Sequence, residues 1–276
     1  MFRRWIRPSP LPGFLPALGW TSTLLFLLLA VPLLACVIKA ASLSATDFLA
    51  AAWSARARAA YLLTFGAALA AAVADVLLGT LLAWVLVRYE FPGRRWIDTL
   101  IDLPFALPTA VAGLVYSALY VKTGWVGRWL TPLGFQGAYS RTAIVLVLTF
   151  LGLPFVVRTV QPVLESLEGD IEEAASSLGA SRAQTFWRIL LPSMWPGIMT
   201  GFALAFARGL GEYGSVVFVS GNMPFRTEIA AVLVVARLEE FKYAEATAVA
   251  VVLLASSLST LWLINWLEAR SRRHAS

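Results

Sequence analysis

A chain of 276 residues that is 59 % hydrophobic and only 14 % charged carries more apolar surface than a soluble domain of its length can bury, so a multi-pass membrane protein is expected. The net charge of +6 would suit nucleic acid, yet the basic residues stand in twos and threes at the ends of apolar runs, which is the pattern of membrane topology.

The lead-in, residues 1–13, places Arg3, Arg4 and Arg7 among prolines. Phe14 to Ile38 is the first apolar run. It exceeds the ~20 residues that a hydrocarbon core requires and is too long for the core of a signal peptide. Further runs cover Tyr61–Val87, Leu100–Val121, Thr142–Val160, Pro196–Ser220 and Glu245–Leu267. The expected fold is therefore an all-α integral membrane protein, a six-span helical bundle with its transmembrane domain over 14–267 and a tail at 268–276. Pro32, Pro104, Pro108 and Pro154 fall inside these runs and are expected to kink helices without ending them, because neighbouring helices re-satisfy the freed carbonyls. Gly66, Ala70 and Ala74 recur at a spacing of four, which permits close helix contact. Thr46 and Asp47 suit the start of a short surface helix through Ala60. Thr227 to Glu240 is apolar enough for a helix but too short to span, hence re-entrant or interfacial.

Charge counting orients the bundle only weakly. Six spans put both termini on one side with the loops after the second and fourth spans, and that side collects twelve basic residues against nine.

Between the fourth and fifth spans lies a polar island, DIEEAASSLGASRAQTFWRILLP, from Asp170 to Pro192. Asp170 and Glu173 have capping-box spacing, and Ile171, Ala174, Ala175 and Leu178 make one apolar stripe on a two-turn helix. Gly179 supplies a left-handed stop, Ser181 and Gln184 form a second capping box, and Pro192 is expected to close a second short helix. A capped helix so short is not stable alone, so its stripe requires a partner.

The fixed positions Glu173-Ala174-Ala175, Gly179, Ile189 and Leu191-Pro192, placed before the penultimate span, resemble the EAA loop of ABC-importer permease subunits. The wider stretches LPFALPTAVAG after Asp102, LPFVVRTVQPVLE ending at Glu165, and LGEYGSVVFVSGN over Leu210–Asn222 are similar to the sulfate/thiosulfate permease group of CysT type. The resemblance implies a type I importer permease. Its EAA loop would be a coupling helix docked in a cytosolic ABC ATPase dimer, with Glu173, Ala174, Ala175, Gly179, Ile189, Leu191 and Pro192 as the docking residues. It further implies a heterodimer with a CysW-type second permease subunit and an extracytoplasmic sulfate-binding protein. Docking by the ATPase would put the island, both termini and the tail in the cytoplasm of a bacterium whose inner membrane the chain is expected to cross. Ala41–Ala60 and Met223–Tyr243 are the candidate outer surface for the binding protein.

The chain's own chemistry agrees. One cysteine, Cys36, and one histidine, His274, leave metal and Cys/His nucleophile chemistry without residues, so neither a catalytic nor a metal site is expected. No G-x-x-x-x-G-K-S/T is present, so ATP and Mg are expected on the partner ATPase and no cofactor in this chain. No nucleic-acid partner is expected, only lipid and protein.

Asp75, Arg208 and Glu212 lie within spans, where each costs about 2.5–3.5 kcal/mol on insertion scales and commonly faces a cavity or a counter-charge. Asp75 and Arg208 stand at matching depths of about 18 Å from the inner face, so an Asp75–Arg208 pair is one option and Arg208–Glu212 at i, i+4 another. Arg208 either meets the anion in the translocation pathway, with Glu212 and Asp75 weakening its grip, or pairs structurally. A molybdate or tungstate permease is the alternative within the class, since these anions share a tetrahedral, doubly charged shape with sulfate. A secondary anion transporter is the alternative outside it, disfavoured because no internal repeat is evident.

Overall fold

Serines mark where the helices begin. The side chains of Ser44, Ser54, Ser140 and Ser181 each accept a hydrogen bond from the backbone N–H three residues on. Each thereby satisfies a donor that the first helical turn leaves free, worth about 1 kcal/mol. The computed structural model describes residues 13–167 and 169–274, and nearly all of the described chain is helix or turn.

The first span is α1 (Phe14–Leu25) and α2 (Val31–Ala40) joined by a π turn at Phe26–Ala30, just before Pro32. After α3 (Ala45–Ala52), shorter than the helix through Ala60 expected from sequence, comes α4 (Ala55–Arg88). Then follow α5 (Arg94–Ile101), α6 (Leu103–Ala106), α7 (Thr109–Tyr120), α8 (Gly127–Leu130) and the long α9 (Arg141–Ser166). The island forms α10 (Gly169–Ser177) and α11 (Arg182–Thr185), which runs through a second π turn at Phe186–Leu190 into α12 (Leu191–Leu210). The chain ends with α13 (Val216–Val219), α14 (Ala230–Glu239) and α15 (Tyr243–His274).

The core is a three-helix contact of α4, α9 and α12 built on small residues, which let backbones approach where lipid offers no hydrophobic drive to association. A Cβ added to Gly79 would meet Val156 at 2.8 Å, one on Gly152 would meet Asp75 Oδ2 at 2.0 Å and Ala205 at 3.3 Å, and one on Gly201 would meet the Val156 Cα at 2.8 Å. These pairings set directions. Asp75 opposes Gly152 and Gly79 opposes Val156, so α4 and α9 run parallel. Gly209 against Ala68, Ala205 against Gly152 and Gly197 against Thr159 make α12 antiparallel to both. Two consecutive long parallel helices require the chain between them to cross back, and α5 to α7 supply that crossing.

By length and composition the long helices that suit a membrane are Pro16–Ala40, Ala55–Arg88, Arg141–Ser166, Arg182–Leu210 and Tyr243–Ile264. The expected third span, Leu100–Val121, is broken, and only Thr109–Tyr120 remains as a shorter apolar helix. Pro108 is responsible and therefore ends a helix instead of kinking one. Leu107 before it sits in the extended region (φ −88°, ψ 127°), as a residue preceding proline prefers. Pro104 likewise opens α6, while Pro154 does lie inside continuous helix, in α9.

Two further expectations are corrected. Gly66 and Ala70 face outward; the contact stripe of α4 is Ala68, Ala72, Asp75, Gly79 and Ala83, on a neighbouring face. Pro192 does not close a second short helix. The π turn before it moves the Leu191 N–H onto the Phe186 carbonyl, and helix continues from Arg182 to Leu210. Widening the ladder by one residue just before a proline relieves the loss of its hydrogen bond.

The first span stands apart from the core: none of its most apolar window is buried, against 56 % for Arg141–Ser166. Its second half packs on α15. α14, the helix too short to span, packs against α4 and α15 through Ala230, Val232 and Leu233.

Candidate functional site

The island is a helix, a left-handed bend and the root of a span. α10 begins at Gly169, so Asp170 stands inside it by backbone; the cap expected from Asp170 rests on a side chain outside the described residues. At the other end the Ala180 N–H reaches the Ala175 carbonyl at 3.0 Å and the Gly179 N–H reaches Ser176 at 2.9 Å, with Gly179 at φ +80°. This is a Schellman stop, and glycine holds it without the strain that a side chain would bring. The second capping box is present in full: the Ser181 N–H donates to Gln184 Oε1 at 2.8 Å and the Gln184 N–H to Ser181 Oγ at 3.3 Å.

The stripe on α10 divides. Ala175 is buried, whereas Ile171 is 41 % and Leu178 89 % exposed. Glu173, Ala174 and Gly179 share the open face. Ile189 is half-buried within the π turn, Leu191 packs against the core cluster of α4, α9 and α12, and Pro192 is exposed. Among the island's described carboxylates, Glu172 has an ion partner: its Oε1 lies 2.5 Å from Arg88 Nη2 at the end of α4.

Within the spans the two options for Arg208 resolve to one. Arg208 Nη1 donates to Glu212 Oε2, and Glu212, 3 % exposed, accepts at Oε1 from the Ser215 N–H at 2.8 Å and the Ser215 hydroxyl at 2.9 Å. Asp75 does not join them. It is level with Ala205, almost a turn of α12 below Arg208, and is 1 % exposed with Oδ1 lacking a hydrogen-bond partner. Glu212 and Ser215 thus fix the breakpoint after α12. The broken third span meets them, since a Cβ on Gly113 would come within 2.2 Å of the Ser215 carbonyl oxygen and Ser117 donates to the Phe218 carbonyl.

Two networks escaped the sequence reading. Arg158 on α9 donates through Nε and Nη2 to both oxygens of Asp102 (2.9 and 2.6 Å) and through Nη1 to Asp98 (2.7 Å) and Gln161 (2.6 Å). Burial pushes the Asp98 carboxyl up, but hydrogen bonds from Arg158 and Gln161, with the charges of Arg158 and Arg94, outweigh it and hold the group below the usual aspartate range. Two carboxylates four apart just before a proline-broken run were the available signal. Arg56 clasps Glu228 through two bonds of 2.8 and 2.6 Å and ties the start of α4 to the loop before α14. Nothing in the local sequence of either residue announces that pair, which spans 172 positions.

Comparison with known proteins agrees with this layout. The family described as binding-protein-dependent transport system inner membrane component matches residues 75–273. The probable sulfate transport system permease protein cysT of Nephroselmis olivacea is 49 % identical over 92 % of this chain and 90 % of its own length. The sulfate transport system permease protein CysT of Synechocystis sp. is 49 % identical over 94 % and 92 %, and that of Escherichia coli 43 % over 95 % of each. Among solved structures, a bacterial alginate ABC transporter in complex with an alginate pentasaccharide-bound periplasmic protein superposes with a TM-score of 0.74 at 20 % identity, covering 93 % of this chain and 94 % of that one.

Proposed function

The chain belongs to the binding-protein-dependent transport system inner membrane components, and from that premise we propose how it works as the permease subunit of a sulfate importer driven by ATP. It is a multi-pass membrane protein, and the ATPase is a separate subunit. The observation that carries the mechanism is the open face of α10: a helix of 9 residues, stopped by a glycine bend, turns Ile171, Ala174 and Leu178 outward as exposed side chains. Such a face suits a groove on a soluble partner, and the ATPase is the partner that the family requires. α10 is then the coupling helix. Glu173, Ala174, Leu178 and Gly179 are its docking edge, and the continuous helix from Arg182 to Leu210 leads from the island into the membrane.

ATPase docking places α10 in the cytoplasm. The inner ends of α4 and α9 lie there too, with both termini, in a bacterial inner membrane. Closure of the ATPase around ATP and Mg draws α10 toward its counterpart on a second permease subunit of CysW type. The bundle rocks from inward- to outward-facing, receives the anion from a binding protein docked over Ala41–Ala60 and Met223–Tyr243, and returns. Arg208 is the cation offered to the passing dianion, with a third of its side chain exposed. The bond to Glu212 holds it in place and tempers its charge, as a pathway that must release its ion requires. The buried Asp75 takes no part in an ion pair and shapes the contact of α4 with α9 and α12.

Reconstitution tests the reading. In proteoliposomes with the ATPase, a second permease and the sulfate-binding protein, labelled sulfate should accumulate only when ATP is enclosed with the ATPase. Thiosulfate should compete and molybdate should not. Uptake driven by an ion gradient without ATP would instead identify a secondary transporter, and competition by molybdate alone would reassign the cargo.

A further inference from the structure

Arg88 closes α4 on the side of the membrane where α10 lies, and Glu172 stands in the first turn of α10. The contacting atoms, Arg88 Nη2 and Glu172 Oε1, are shut off from solvent and 2.5 Å apart, but not aligned for a hydrogen bond. Charge therefore holds the contact. With 21 % of the Arg88 and 37 % of the Glu172 side chain exposed, such a pair stabilises by about 1 kcal/mol at most, so stability alone does not account for it. The guanidinium of Arg88 also lies over the Trp84 ring, 5.4 Å from its centroid. Trp84 in turn meets Phe186 edge-on at 5.9 Å, and Phe186 opens the π turn at the root of α12. A single cluster on the inner end of α4 thus grips both sides of the island, α10 through Glu172 and the base of α12 through Phe186.

The covalent route from α10 to α12 passes through the bend at Gly179, where a Cβ would touch nothing within 4 Å, so no neighbour braces the turn from that side. A displacement of α10 carried only along the chain would be absorbed there. We propose that Arg88 is a positioning residue of the transport cycle, a strut that carries the movement of α10 to α4 while Trp84 and Phe186 keep α4 and α12 moving as one body. Because α4 packs along α9 and α12, pushing it at its inner end moves the whole core. This inference rests on the reading of α10 as the ATPase-docking helix.

The test uses the complete transporter in proteoliposomes with the sulfate-binding protein, comparing Arg88→Ala, Glu172→Gln and the exchange Arg88→Glu with Glu172→Arg. Each single variant should co-purify with the ATPase in parental amount and hydrolyse ATP at the parental basal rate. Sulfate moved per ATP should fall by about tenfold, the scale of typical coupling between sites. The exchange should recover most of that loss, which a merely structural role would not produce. Parental sulfate per ATP in both single variants, loss of the ATPase on co-purification, or an exchange no better than the singles would each overturn the strut. The docking reading is tested separately by Leu178→Ala: undiminished ATPase affinity there would sink the docking and the strut with it, whereas weakened affinity there with parental sulfate per ATP in the Arg88 and Glu172 variants would sink the strut alone.

Discussion

Leu178 offers the sharpest test of the docking edge, because the free chain hardly uses it. Its side chain is 89 % exposed at the end of α10, so truncation opens no cavity, and alanine is at least as good a helix former as leucine. If the ATPase groove buries it, Leu178→Ala removes three carbons from an apolar contact, worth ~2.4 kcal/mol at about 0.8 kcal/mol per carbon. At about 1.4 kcal/mol per decade, affinity for the ATPase should weaken by roughly 50-fold. The measurement is a titration of labelled ATPase onto the permease pair held in lipid nanodiscs, without nucleotide. Helix content and melting of the variant, followed by circular dichroism, should match the parent. An unchanged Kd with parental melting would refute the reasoning, since an apolar residue buried in a docked face cannot be lost at no cost. Weakened binding together with a lowered melting temperature would also refute it, by showing that Leu178 supports the chain itself.

Other consequences follow from the geometry. Gly179→Asp places a side chain at φ +80°, about 1–2 kcal/mol of strain. It should leave the protein inserted while abolishing transport-coupled ATP hydrolysis, and normal coupled turnover in proteoliposomes would exclude the bend from the machinery. At Arg208, lysine should preserve part of sulfate uptake and alanine little; equal uptake by the two variants would show that the charge plays no part. Asp98 titrates below an ordinary aspartate, so its pairing with Arg158 adds stability that is complete above the usual range, near pH 3.9, and fades as pH falls through the lowered value. Melting temperature should drop on acidification below about pH 4, and Asp98→Asn should flatten that drop; identical acid profiles would remove the pair from the account.

Much of the architecture was legible because local chemistry sufficed. Apolar runs longer than a bilayer marked the spans. Ser181, three residues ahead of Gln184, marked a helix start, and the glycine of the island demanded a left-handed bend that is present at φ +80°. The Ser181 and Gln184 box and the spacing of the stripe on α10 involve residues within two turns of each other, so local chain geometry places them.

Local chemistry along the chain is enough to specify a helical membrane permease with an apolar lever on a polar island. Tertiary structure alone decided which charges meet. Asp75 and Arg208 looked equivalent in depth, but Asp75 turns into the Gly152 gap while Arg208 turns to Glu212. Arg158 finds Asp98 and Asp102 some 56–60 positions away, and Arg88 finds Glu172 across the island. Tertiary structure also decided that Pro192 would sit within continuous helix and that Pro108 would break one. In each case a π turn or an extended residue answers the backbone's lost hydrogen bond, and neighbouring helices choose between those answers. Pairing of charges and the fate of prolines depend on how helices are rotated about their axes. That rotation is set by glycines and alanines packing across α4, α9 and α12, contacts that no local stretch of chain encodes.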